Sequence, residues 1–209
     1  MAEFYHNSVT DKSFQFLAEL NKNYKFVLIG GWAVFLYAQA LKSKDIDIIL
    51  DYDELGKLRK NFAVNKNERL KKYEIETGEF DIDIYVPHYS DLGLPAEEIM
   101  KSAKTRNGFF VPSLEMLLLL KLYAWQERRG SIKGRKDELD ILTLISSEEF
   151  VWPDYLRLVN KFNLGLEHKS FVYFLEKVKR VPELKLNEQQ ASRLKRKIMQ
   201  EIKNFKDKK

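Results

Sequence analysis

The stretch GGWAVFLYAQALKSKDIDIIL runs from Gly30 to Leu50. Two adjacent glycines open it, two aspartates one residue apart lie near its end, and an apolar run separates them. The residues just before it, YKFVLI from Tyr24 to Ile29, predict a short buried strand that ends on glycine. WAVFLYAQAL then predicts a helix, and DIDIIL a second strand. Glycine allows a sharp turn and a close approach to the backbone. The helix start after Gly30 and Gly31 would offer free N–H groups and partial positive charge, which suits phosphate. A plain strand-to-helix turn also uses glycine. Ser43, two residues before Asp45, is placed to bond a phosphate oxygen or to cap a turn.

Side chains at i and i+2 on a strand share one face, with Cα atoms about 6.5 Å apart. Asp45 and Asp47 are therefore expected to converge, and Asp81 and Asp83 in EFDIDIYV repeat the arrangement. The intervening isoleucines, Ile46, Ile48, Ile82 and Ile84, would bury the opposite face and aim the acids outward. Clustered carboxylates repel one another unless a cation or protons intervene. A set of oxygen donors favours Mg²⁺. Two such ions, about 3.5–4 Å apart, can activate an attacking oxygen and stabilise a leaving pyrophosphate.

Composition narrows the alternatives. The chain has 209 residues and 44% hydrophobic residues, enough for a sizeable core and against general disorder. It has no cysteine, which excludes disulfides and thiolate zinc sites. His6, His88 and His168 are too scattered to read as a local ligand cluster. The apolar run Met116 to Leu120 is too short for a bilayer span, and the first residues lack a signal-peptide pattern. A soluble cytoplasmic protein without a membrane partner is expected. The net charge of +5 is uneven: from Lys169 onward there are 13 basic and 5 acidic residues. A basic tail of this kind suits contact with nucleic acid, or simply a solvated helix.

The remaining elements read as follows. Phe14, Leu17 and Leu20 belong to a first helix, capped by Ser8 or Thr10. DELGKLRKNF is a surface helix, and the strands around Thr77-Gly78 form a hairpin. A loop and short helix follow, then a turn at Asn107-Gly108. After Pro112 the pattern becomes helical. A strongly apolar helix spans Leu114 to Arg129, and SIKGR reads as a basic loop. Further helices are expected at KDELDILTLIS, Pro153–Phe162, Leu166–Val178 and Asn187–Lys206. The expected layout is α/β over residues 1–112 and all-α over residues 113–209.

Together, IGGWAVFLYAQALKSKDIDI and FDIDIY resemble the fingerprint of the DNA polymerase β-like nucleotidyltransferase superfamily. The segment PSLEMLLLLKLYAWQERRGSIKGRKDELDIL is similar to one in its AbiEii-type members, which include bacterial toxins. Lys121, Ala124 and Arg128 carry the first part of that likeness, and Lys136, Asp137 and Asp140 the second. The resemblance runs from about Phe26 to Leu142. It implies a mixed sheet with flanking helices and a helical domain that completes the active site. It also implies Mg²⁺-dependent transfer of a nucleoside monophosphate from an NTP, with pyrophosphate released. Asp45 and Asp47 would hold the metals with Asp83, or Asp81, as third acid. The context DIYVP favours Asp83, which would also help deprotonate the acceptor. Members often carry arginine four residues before the first aspartate, where this chain has Leu41.

Lys121 lies among Leu114, Leu117, Leu118 and Trp125 at helical spacing, so it must snorkel to water or meet an anion. A triphosphate is one such anion. Asp137 and Asp140 share a helix face, placed to orient Lys121, to bind nucleotide, or to serve as first-turn acids. Arg128 is placed to pair with them or with phosphate. Three kinds of function remain open. One is transfer to RNA, tRNA above all, or to protein, which extends to a role as the toxin of a pair with an antitoxin as partner. The second is small-molecule transfer of the antibiotic-modifying sort. The third is a non-catalytic nucleotide-binding or scaffolding relative.

Overall fold

The computed structural model describes residues 7–206; His6 lies outside them. Among these residues the chain divides into two compact units, which meet in sequence at Ser113 and Leu114.

The first unit opens with α1 (Asn7–Asn23), which buries Leu17 and Leu20. The sheet strands are β1 (Val27–Ile29), β2 (Ile46–Ile49), β3 (Asn65–Asn67), β4 (Lys72–Glu76) and β5 (Asp81–Tyr85). Helix α2 (Gly30–Ala38) links β1 to β2, and α3 (Tyr52–Asn61) links β2 to β3. The sheet order is β1-β2-β5-β4-β3. Only β2 and β5 run parallel; every other neighbouring pair is antiparallel. The short helix α4 (Ala96–Ser102) precedes a separate hairpin of β6 (Lys104–Arg106) and β7 (Phe109–Val111).

Each element has a local cause. Asp51 caps α3 by accepting a hydrogen bond from the Glu54 amide at 2.8 Å. The β4–β5 hairpin turns through Gly78, whose φ of +86° is the left-handed conformation glycine tolerates best. Ile46, Ile48, Ile82 and Ile84 are buried, as the period of two predicts. Trp32 fills the space between α1 and α2 and donates its indole N–H to Ser13 Oγ at 3.0 Å. Strand β3, with the polar sequence NKN, carries no apolar alternation and was not expected. Pairing with β4 makes it a strand.

The second unit holds α5 (Leu114–Arg128), α6 (Ile132–Ile145), α7 (Trp152–Lys161), α8 (Gly165–Lys177) and α9 (Glu188–Lys206), with a 3-10 turn at Pro182–Leu184. The expected basic loop SIKGR is instead the start of α6. Ser131 caps that helix, its hydroxyl accepting from the Gly134 amide at 3.0 Å. Gly134 also lets the helix start abut the end of α5, because a Cβ there would fall 2.2 Å from the Arg128 carbonyl oxygen. Trp152, Tyr155 and Phe171 form the aromatic centre of the helical core. Ala191, Ile198 and Ile202 turn α9 inward. Among the described residues no helix is long and apolar enough to cross a membrane.

Candidate functional site

The two ends of the opening stretch meet in space. Antiparallel pairing sets Ile29 opposite Asp47, which places Asp47 beside the start of α2. Gly30 there has φ +66°, and a Cβ on it would lie 2.0 Å from Asp47 Oδ2. The glycine therefore does two things: it takes a left-handed turn, and it leaves the room the carboxylate fills. Helix α2 begins with no side-chain cap and no acid in its own first turn; the carboxylate nearest its positive end is that of Asp47, which lies against Gly30. Gly31 is buried.

Asp47 is also level with Asp83 across the parallel β2–β5 pair, and Asp83 is level with Glu74 across the antiparallel β5–β4 pair. Residues opposite one another in neighbouring strands project from the same face. Three acids thus form a row across the middle of the sheet. Lys72, two residues before Glu74, answers their charge: its Nζ lies 2.7 Å from Asp83 Oδ2 and 2.7 Å from Glu74 Oε1. Burial drives the Asp83 carboxyl up, the neighbouring Asp47 charge adds to this, and Lys72 opposes it; the result is about 6. Burial alone would lower Lys72, but Asp83 and Glu74 outweigh it and hold the ammonium above its ordinary value.

Asp45 stands in a bend one residue before β2, not on the strand as expected. Its Oδ1 accepts from the Asp81 amide at 3.3 Å, tying the entrances of β2 and β5 together. Asp81 itself is exposed. Ser43 is buried and donates to the Asp45 carbonyl at 3.1 Å, so in this state its hydroxyl shapes the bend. Leu41 is a core residue.

In the second unit Lys121 is 7% exposed and meets its anions within its own helix pair. Its Nζ lies 2.6 Å from Asp140 Oδ2 and 3.3 Å from Asp137 Oδ1. Arg128 grips Asp137 with Nε at 2.7 Å and a second nitrogen at 3.1 Å. Lys136, also buried, reaches Asp140 Oδ2 at 3.4 Å. Burial works against the Asp140 charge, yet Lys121 and Lys136 outweigh it and hold the carboxyl below its ordinary value. Burial lowers Lys136. Because α6 starts at Ile132, Asp137 and Asp140 lie beyond its first turn, and the helix-dipole expectation for them is corrected. Among the described residues Asp140 Oδ1 is buried with no hydrogen-bond partner.

Sequence reading missed Lys72 and Glu74. Their signal was present: KYEIE alternates, and the hairpin turn at Gly78 fixes which of its residues face Asp83.

Carboxylate oxygens of Asp45, Asp47 and Asp83 are the donor chemistry a hard divalent cation takes. The unfavourable neighbouring charges of Asp47 and Asp83 are what such a cation would relieve. Among the described residues no three acidic or histidine side chains already converge as a ready cage.

No family model and no curated protein matches the chain. Solved structures do. JHP933 from Helicobacter pylori is similar over 97% of this chain and 95% of its own, with a TM-score of 0.52 and 14% identity. A candidate nucleotidyltransferase from H. pylori covers 98% of this chain and 99% of its own, with 0.54 and 14%. ANT(2″)-Ia in complex with adenylyl-2″-tobramycin covers 75% and 98%, with 0.54 and 17%. The chain therefore has the mixed α/β fold of nucleotidyltransferase-like proteins.

Proposed function

We propose that this protein transfers a nucleoside monophosphate from an NTP to an acceptor hydroxyl. The observation that carries the reading is the register of Asp47 with Asp83 on parallel strands, with Gly30 opened to Asp47 at the start of α2. Asp45, Asp47 and Asp83 would hold Mg²⁺, which when bound neutralises the triphosphate and the departing pyrophosphate. The uncapped start of α2 receives phosphate oxygens. Asp83 takes the acceptor proton, the acceptor oxygen bonds to the α-phosphorus, and the bond to the pyrophosphate oxygen breaks. Asp83 is preferred to Asp81 because it is level with Asp47, whereas Asp81 is exposed at the strand entrance.

The acceptor is RNA, tRNA above all, or a protein. The motif around Lys121 and Asp137 supports an AbiEii-type reading, with toxin activity held in check by an antitoxin. Purified protein, Mg²⁺ and each labelled NTP in turn, with total tRNA and cell protein as acceptors, test this. Label in RNA or protein that disappears with Asp47→Asn is expected. Absence of transfer with all four NTPs counts against the reading.

A second reading is small-molecule transfer, favoured by the likeness to a protein solved with adenylyl-2″-tobramycin. An aminoglycoside arm in the same assay separates the two.

A further inference from the structure

Helix α9 presents two opposite faces. Ala191, Ile198 and Ile202 are buried. At 100° per residue, Arg193, Arg196, Lys197, Gln200 and Lys203 fall within an arc of about 120° on the other side. All five are exposed, and none is acidic. Among the described residues, no ion pair involves Arg193, Arg196, Lys197 or Lys203. By contrast, Lys12, Lys42, Lys57, Lys101 and Arg157 elsewhere on the surface each pair with a carboxylate. The stripe from Arg193 to Lys203 is about 15 Å long.

We infer that this face of α9 tracks the phosphate backbone of a nucleic acid, which under the transfer reading is the acceptor RNA. A row of cations that pair with no carboxylate among the described residues fits a polyanion whose charges repeat along a line. Insertion into a lipid surface needs a free apolar face, and that of α9 is already spent on the helical core. The end of α8 adjoins the inward side of this helix, since Lys195, beside the buried residues on the wheel, donates from Nζ to the Glu176 carbonyl at 3.4 Å. One turn back, Tyr173 is 57% exposed with Lys177 Nζ 5.1 Å from its ring centre. An exposed ring beside cations is what base stacking on single strands uses.

The test uses the full chain, a fluorescent unstructured 20-nucleotide RNA and vesicles containing phosphatidylserine, with salt varied. It needs no NTP, so its outcome is independent of whether transfer occurs. RNA binding is expected to weaken with salt. The quadruple variant R193Q/R196Q/K197Q/K203Q should bind at least tenfold more weakly at low salt, with the logarithmic salt slope reduced by about 3. R193K/R196K should retain binding, and unchanged thermal unfolding of the quadruple variant should show that the fold is intact. RNA binding equal in wild type and quadruple variant overturns the proposal. So does binding to vesicles but not RNA, or to neither.

Discussion

Gly30 and Asp47 are seventeen residues apart in sequence, yet the Asp47 carboxylate fills the space a side chain at Gly30 would need. The strand-to-helix turn and the acid are thus one unit, joined by the Ile29–Asp47 register. Any side chain at residue 30 must meet the carboxylate and also adopt an unfavourable φ.

Gly30→Ala is expected to destabilise the protein by about 1–2 kcal/mol and to lower nucleotidyl transfer roughly 100-fold. Gly78→Ala is the control: its φ is also positive, but nothing lies within 4 Å of its added Cβ. It should show a smaller loss in denaturant unfolding, from the φ strain alone, with transfer largely kept. Equal loss of transfer in both variants would remove the special role given to Gly30.

Asp83 makes stability depend on pH. In metal-free buffer its folded value of about 6 lies above the ordinary 3.8, so the folded state holds the proton more tightly. Stability should therefore fall as pH rises from about 4 through about 6, by on the order of 2–3 kcal/mol from this group. Asp83→Asn should flatten that slope. Asp47→Asn should lower the Asp83 value, read by NMR of the carboxyl carbon, because it removes the neighbouring charge.

Lys72 counters the row of acids. Lys72→Met should cost about 1–3 kcal/mol at pH 8, and the loss should shrink at pH 5 as Asp83 takes up a proton. Unfolding curves at the two pH values measure this. A loss independent of pH would mean that the lysine stem matters for packing and its charge does not.

The buried cluster of the helical unit should behave differently. Asp140→Ala leaves Lys121 and Lys136 facing each other without that carboxylate, a loss of about 3–5 kcal/mol. Lys121→Met combined with Asp140→Ala should recover part of it, because only Lys136 is then left without that carboxylate. A double-mutant cycle by chemical denaturation gives the coupling directly. The transfer assay on the recovered double variant then separates a structural task for Lys121 from a chemical one.

Much of the fold was readable from local pattern. The isoleucines alternating with Asp47 and Asp83 announced strands with one buried face, and the Gly78 turn announced the β4–β5 hairpin. Strand β3 was not readable, because NKN has no apolar alternation and becomes a strand only through β4. The start of α6 was hidden for a similar reason. Gly134 looks like a loop residue until the Arg128 carbonyl it must clear is in view.

By itself the sequence determined which residues carry charge and which faces are apolar, because side-chain period depends only on local backbone geometry. It therefore placed the glycine turn, the strands bearing Asp47, Asp81 and Asp83, and the helix bearing Lys121, but not the bend that holds Asp45. Tertiary structure alone decided which of those groups meet. Parallel pairing of β2 with β5 set Asp83 level with Asp47. Packing of α5 on α6 gave Lys121 the carboxylates of Asp137 and Asp140. These meetings depend on strand order, register and helix packing, which no local sequence pattern encodes.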